Sequence, residues 1–357
     1  VRDRSRAVIE QVADLALRGS GALSLARWLD ARDRAALRVL VYHRVADPGN
    51  DPLAGDPGII SATPETFDAQ MVAVRRYYAP VGVDAVIAAV SGGPALPARA
   101  VLVTFDDGYR DVMTHAWPVL RRHRVPAVVF VPSAFPDQPA RFWWDEVWQL
   151  LARTPATRVA IGGGDTLDLG TPHARLLAHR RIIQATRPLA PDAVRARLDG
   201  LRTALGVPAD AAAAAATPPP VLGWDELRVL ARDGLVIASH GRTHASLPSL
   251  SEREIADEID GADRDFAREL GSVPKIFAYP FGHFDARASA LLRSRGYVCA
   301  LSTMPGRNPL PIRDPFAVRR QSVNVMHSPS RVQLGLAGFY PRPLTRLRSV
   351  FLGPSPR

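Results

Sequence analysis

The run Ala100-Val101-Leu102-Val103-Thr104-Phe105-Asp106-Asp107-Gly108 decides the architecture of this chain. Its first six residues are apolar or β-branched throughout, with no alternation of polar and apolar positions. Such a run is the pattern of a strand buried on both faces, as parallel sheets require. It ends on two carboxylates and a glycine, and in parallel α/β folds ligands gather at the carboxyl ends of strands. Working outward, Arg38–His43 upstream and Ala127–Val131 downstream read as further buried strands. Between the first two, Thr63 caps a helix with Pro64 in its first turn and Phe67, Met71, Val74 and Tyr78 on one face. Later come strands over 234–239, 275–279 and 297–301, with helices over 251–270 and 286–295. Ser251 and Glu254 form a capping-box pattern at the first of these helices. The alternation predicts an α/β fold with a parallel sheet.

The rhythm breaks between about 136 and 222. That stretch carries an Arg-rich helical part, the Ala211–Ala216 run and Pro218-Pro219-Pro220, and reads as an inserted helical segment or lid ending in a connector. Its Trp143, Trp144, Asp145, Glu146 and Trp148 cluster reads first as core packing, with stacking on sugar rings the alternative. The reading divides the chain into a basic amphipathic helical segment (1–37), a catalytic domain (38–330) and a basic tail (331–357).

Composition narrows the classes. The chain has 357 residues, 47% hydrophobic and 22% charged, enough for a sizeable core. Its formal charge of +10 is carried almost wholly by arginine and comes with no RNA-binding or zinc-finger pattern, so nucleic acid is not an expected partner. A single cysteine, Cys299, excludes an intrachain disulfide and a multi-cysteine metal site. No apolar run is long enough to span a bilayer, and the start lacks a signal-peptide pattern. The expected compartment is the cytoplasm. The N-terminal segment with Arg18, Arg27, Arg32, Arg34 and Arg38 reads first as a helix packed against the main domain, with peripheral contact with an anionic membrane face the alternative.

The second chemical element is Ser239-His240-Gly241-Arg242-Thr243-His244, directly after another apolar run. Two histidines at i and i+4 are expected on one face of a helical turn, where they can grip one cation. Two imidazoles with one carboxylate make a facial set that leaves positions open for water and substrate, an arrangement suited to hydrolysis. Of the two carboxylates, one is expected to bind the cation and the other to hold the nucleophilic water.

These strings, Thr104–Tyr109, His240-x-x-x-His244 and Ala278-Tyr279-Pro280-Phe281-Gly282, resemble the first three motifs of the polysaccharide deacetylases. These are the proteins sharing the NodB homology domain (carbohydrate esterase family 4). The resemblance runs from about Leu40 to Val325. Tyr42-His43 and Phe142–Glu146 resemble a bacterial branch associated with surface-polysaccharide synthesis. It implies a distorted (β/α) barrel of seven or eight strands carrying the insertion. It implies a metal-dependent hydrolase that removes acetyl groups from N-acetylated sugars of a polysaccharide, oligosaccharide or lipid-linked precursor. Asp106 would be the base, Asp107, His240 and His244 the ligands of zinc (nickel or cobalt also being compatible), and the backbone N–H of Tyr109 an oxyanion donor. His43, Trp144, Tyr279, Pro280 and Phe281 would line the substrate site.

Three departures qualify the match. Gly241 stands where the family has Ser or Thr, and Ala278 where many members carry an arginine beside the base. Arg319 or Arg320, after an expected strand at 316–318, could replace that charge, Arg320 being preferred. His327 is the candidate acid near the end of the domain, with His43 the alternative. A non-catalytic carbohydrate-binding protein and an O-acetyl esterase or other amidohydrolase are the rival readings.

Overall fold

The computed structural model describes residues 17, 19, 21–32, 35–51, 56–138, 142–161, 165–207 and 220–339. Most of the basic N-terminal segment, the Ala211–Ala216 run, Pro218 and Pro219, and residues 340–357 lie outside the described residues.

Seven strands build the site's support. They are β1 (Ala36–Tyr42), β2 (Ala100–Phe105), β3 (Ala127–Val131), β4 (Val236–Ser239), β5 (Ile276–Ala278), β6 (Cys299–Leu301) and β7 (Gln321–Ser322). They lie side by side in the order β6, β5, β4, β3, β2, β1, each pair parallel. β7 pairs parallel with Leu40 and Val41, and just before it Val318 bridges to Leu301. The two edges of the curled sheet are thereby drawn together into a distorted α/β barrel. Asn308–Pro309 adds one short antiparallel pairing to β1.

Period-two alternation sorts the strand side chains. Val101, Val103 and Phe105 pack outward with Phe67 and Met71 of the helix Pro64–Tyr77 and with Leu227 and Phe266 of two later helices. Ala100 and Leu102 face another cluster with Val39, Val128, Phe130, Ala278 and Leu301. Thr104 and Asp106 continue that inner row, so the end of β2 aims a carboxylate into the barrel.

The expected caps form. Thr63 accepts from the Thr66 N–H at 3.2 Å with Pro64 at the first position. Ser251 and Glu254 exchange bonds of 2.7 and 3.3 Å at the start of the helix Glu252–Leu270. Past the barrel, helix Pro329–Leu336 buries Val332 and Leu336 in the outer cluster. One expectation fails: residues 315–317 form a 3₁₀ turn begun by Pro315 and capped by Asp314, rather than a strand, and only Val318 joins the sheet.

The inserted segment has a core of its own. Helices Trp143–Arg153, Pro172–Thr186 and Pro191–Leu205 bury Leu150, Ile182, Ile183, Leu198 and Leu201 together. It is not wholly helical, because Arg158–Ala160 and Thr166–Asp168 form an antiparallel hairpin. Only Val159 and Leu167 of that hairpin are buried, too short a pattern to stand out in the sequence. Among the described residues no helix is long and apolar enough to cross a membrane.

Candidate active site

Asp106 follows β2, its backbone N–H still bonded to the Tyr42 carbonyl at 2.9 Å. Its carboxylate is buried and met by Arg320, whose Nη1 and Nη2 each donate to one oxygen at 2.7 Å. Nε of Arg320 donates to the Ser302 carbonyl at 2.8 Å, so the fork is fixed from behind. Arg320 is fully buried while Arg319 is exposed and bonded to the Pro305 carbonyl, the alternation expected of extended backbone. Burial alone would raise the Asp106 pKa; the Arg320 and His240 charges outweigh it and hold the carboxyl below its ordinary value.

Asp107 turns the other way. Its φ of 73° and that of Gly108, 69°, place both in the left-handed region, so the chain reverses sharply at the strand end. The Asp107 Oδ1 atom lies 3.5 Å from His240 Nε2 and 3.1 Å from His244 Nε2. Desolvation raises this carboxyl's pKa, but the two imidazoles more than compensate and hold it far below the usual carboxylate range.

His240 extends the β3–β4 ladder, its N–H bonding the Val131 carbonyl at 3.1 Å. Its Nδ1 lies 2.7 Å from the Ala278 carbonyl, which assigns the proton to Nδ1 and frees Nε2. The two histidines do not share a helical turn, correcting that expectation. Gly241 at φ 76° and His244 at φ 60° coil residues 240–246 into a loop, and the rings still meet at 4.7 Å between centroids. Glu258 braces this loop from the helix Glu252–Leu270, accepting from the Arg242 and Thr243 N–H groups at 2.9 Å each and from the Thr243 hydroxyl at 2.6 Å. Glu258 was missed as a site residue. Its signal was a carboxylate on the apolar face shared by Ile255, Ile259, Ala262 and Phe266.

Asp107, His240 and His244 each offer one donor atom, all within 4.8 Å of one another and all buried. Asp107 Oδ1 and His244 Nδ1 have no hydrogen-bond partner. A buried carboxylate oxygen with no hydrogen-bond partner, facing two imidazole Nε2 atoms, fits a divalent cation, since otherwise its desolvation is uncompensated.

Tyr109 is buried, and its hydroxyl donates to Asp145 Oδ2 at 2.7 Å while accepting from Trp144 Nε1 at 2.9 Å. Its backbone pairs with Val221 through the flanking bonds Arg110 N–H to Pro220 C=O and Leu222 N–H to Gly108 C=O. In such a pair the central N–H points away from the partner strand. Burial pushes the Asp145 carboxyl up to about 7.

The remaining expected residues divide. His43 lies half-buried just after β1, close enough for its charge to act on both Asp106 and Asp107. Phe281, at φ 57°, sets its ring 4.5 Å from that of His244. Trp144 is only 4% exposed, stacked on Phe142 and 4.8 Å from the His244 ring, so it backs the site and offers no open face to a sugar. Trp143, half-buried beside Phe281, is the more open ring. Tyr279 is fully buried with its hydroxyl bonded to the Phe316 carbonyl, and Pro280 is buried behind Gly241. Neither lines an open substrate surface. His327 contacts Asn324 through its ring and Gln70 through its carbonyl, apart from the four central residues.

The polysaccharide deacetylase family profile matches residues 93–162 and 198–300, the gap falling within the insertion. The chain carries a polysaccharide deacetylase domain. Over 100 residues it is 33% identical to the poly-beta-1,6-N-acetyl-D-glucosamine N-deacetylase of Escherichia coli K12, a match covering 28% of this chain and 14% of that protein. The fold resembles the Streptococcus pyogenes deacetylase PplD at a TM-score of 0.55 and 14% identity, covering 84% of this chain and 98% of that one. It also resembles IcaB from Ammonifex degensii, at 0.52 and 18%, covering 85% and 97%.

Proposed function

We propose that this protein is a metal-dependent N-deacetylase of acetylated sugars, with Asp107, His240 and His244 holding the ion. The observation that carries the reading is the division between neighbours: Asp106 has both oxygens bonded to Arg320, while Asp107 keeps an unpartnered oxygen facing two imidazoles. A divalent ion there supplies Lewis acidity, lowering the pKa of water and polarising the acetyl carbonyl. Zinc suits this donor set, and nickel or cobalt are compatible with it.

The chain's own residues do the rest. Asp106, ionised through neutral pH, takes a proton from the attacking water as its oxygen adds to the acetyl carbon. The outward N–H of Tyr109 donates to the oxyanion that develops. His43 delivers a proton to the sugar nitrogen as the carbon–nitrogen bond breaks, leaving acetate and a free amine. It is preferred to His327 because it follows Tyr42, which pairs with Phe105 directly before Asp106, whereas His327 contacts Asn324 and Gln70 apart from the site.

The test is acetate release from N-acetylglucosamine oligomers by zinc-loaded and chelator-treated protein, with an O-acetyl ester in parallel. Release from the amide only when metal is present supports the reading, and His43→Gln should slow the amide about 100-fold but the ester less. Metal binding with no release would favour a carbohydrate-binding protein. Release from the ester alone would favour an esterase.

A further inference from the structure

The insertion reaches the mouth of the site through the end of helix Pro172–Thr186. Arg187 caps that helix, its N–H bonded to the Ile183 carbonyl at 3.0 Å. Two residues on, the Leu189 carbonyl accepts from the Ser249 hydroxyl of the barrel's loop at 3.4 Å. The Arg187 guanidinium lies 5.7 Å from the centre of the Phe281 ring, and that ring abuts His244 at 4.5 Å. A single aromatic ring therefore separates this cation from the metal-ligand cluster.

Among the described residues the Arg187 side chain has no hydrogen bond or ion pair. Two other arginines of the same helix are engaged: Arg181 pairs with Asp165 at 2.5 Å, and Arg175 donates to the Thr154 carbonyl at 3.1 Å. Asp56 and Asp107 are the carboxylates whose charges act on Arg187. Both carboxylates face other groups. Asp56 accepts from the Gly58 N–H at 2.6 Å and lies 3.6 Å from His179, while Asp107 faces the two imidazoles. An exposed guanidinium with open donors beside the Phe281 ring favours an incoming anion, and its planar fork matches a phosphate or a carboxylate.

We propose that Arg187 receives an anionic group carried beside the acetylated sugar, making anionic acetamido sugars the preferred substrate class. This rests on the deacetylase reading above. The sugar ring packs against Phe281 and Trp143, the half-buried rings at the mouth, and its charged neighbour lies over Arg187. The anion is a phosphate, as in a sugar diphosphate linked to a lipid, or a carboxylate, as in an adjoining uronic acid.

The experiment compares zinc-loaded wild type, Arg187→Gln and Arg187→Lys on three substrates: a neutral N-acetylglucosamine tetramer, N-acetylglucosamine diphosphate carrying a short lipid, and a tetrasaccharide alternating N-acetylglucosamine with glucuronate. Wild type should prefer one anionic substrate, and which one identifies the source of the charge. Arg187→Gln should lose about 10- to 100-fold in kcat/KM on that substrate, mostly through KM, and little on the neutral tetramer. Arg187→Lys should retain part of the preference. Equal use of neutral and anionic substrates by wild type, or an equal loss on all three in Arg187→Gln, would overturn the anion site while leaving the deacetylase reading intact. Acetate release from none of the three would overturn both.

Discussion

The floor of the site and its rim are built in opposite ways. On the floor, Thr104, Asp106 and Arg320 project from extended backbone into the barrel, and the guanidinium–carboxylate pair is bonded on every side it presents. On the rim, Asp107, Gly108, Gly241, His244, Phe281 and Gly282 all adopt positive φ, and the Asp107 oxygen facing the two imidazoles lacks a hydrogen-bond partner. Regular structure can hold a base in one protonation state because strand register fixes both members of the pair. Convergence of three ligands from two strand ends needs sharp reversals, and non-glycine residues there carry backbone strain. The site is fully paired at the proposed base and left unpartnered where we propose that an ion binds.

The floor is broken most severely by Arg320→Met. Removing the guanidinium leaves Asp106 buried without its counter-charge, which costs about 3–5 kcal/mol of stability. The sign for activity follows from the lowered Asp106 pKa: the ionised base persists to low pH in wild type, and without Arg320 desolvation raises the pKa. The acid limb of the pH–rate profile should therefore move to higher pH, and Arg320→Lys should move it less. An unmoved limb in folded Arg320→Met would show that the pair does not set the base.

Asp145→Asn sharpens the comparison from beneath the rim, with a smaller effect. Its carboxyl is raised from 3.8 to about 7, so the folded protein binds the proton more tightly than the unfolded chain. This group's contribution to stability falls as pH rises from about 4 to about 7 and is constant above. The variant should lack that slope, the two proteins diverging by as much as about 4 kcal/mol across the window. Parallel melting-temperature curves for the two proteins would contradict the assignment.

Much of the barrel was legible because its strands are uniformly apolar and its helices announce their starts, as Thr63 and Ser251 show. The candidate ligand residues were visible because they follow two such strands directly. Other features depended on three-dimensional closure. Arg320 could be proposed from its place after 316–318, but only the return of Val318 beside Leu301 brings it inward. The histidine spacing suggested a helical turn because i and i+4 are neighbours in one, and no local pattern announced the positive φ of His244. Trp144 and Trp143 are adjacent in sequence, yet the pitch of their helix buries one behind His244 and leaves the other beside Phe281. The hairpin within the insertion was hidden by its three-residue strands.

The division of labour between adjacent carboxylates is tested most directly by measuring zinc content and acetate release together in Asp106→Asn and Asp107→Asn. The account predicts that Asp106→Asn keeps about one zinc per chain and loses turnover by roughly 100-fold or more, while Asp107→Asn loses both. Retained turnover in Asp106→Asn, or full zinc content in Asp107→Asn, would contradict it.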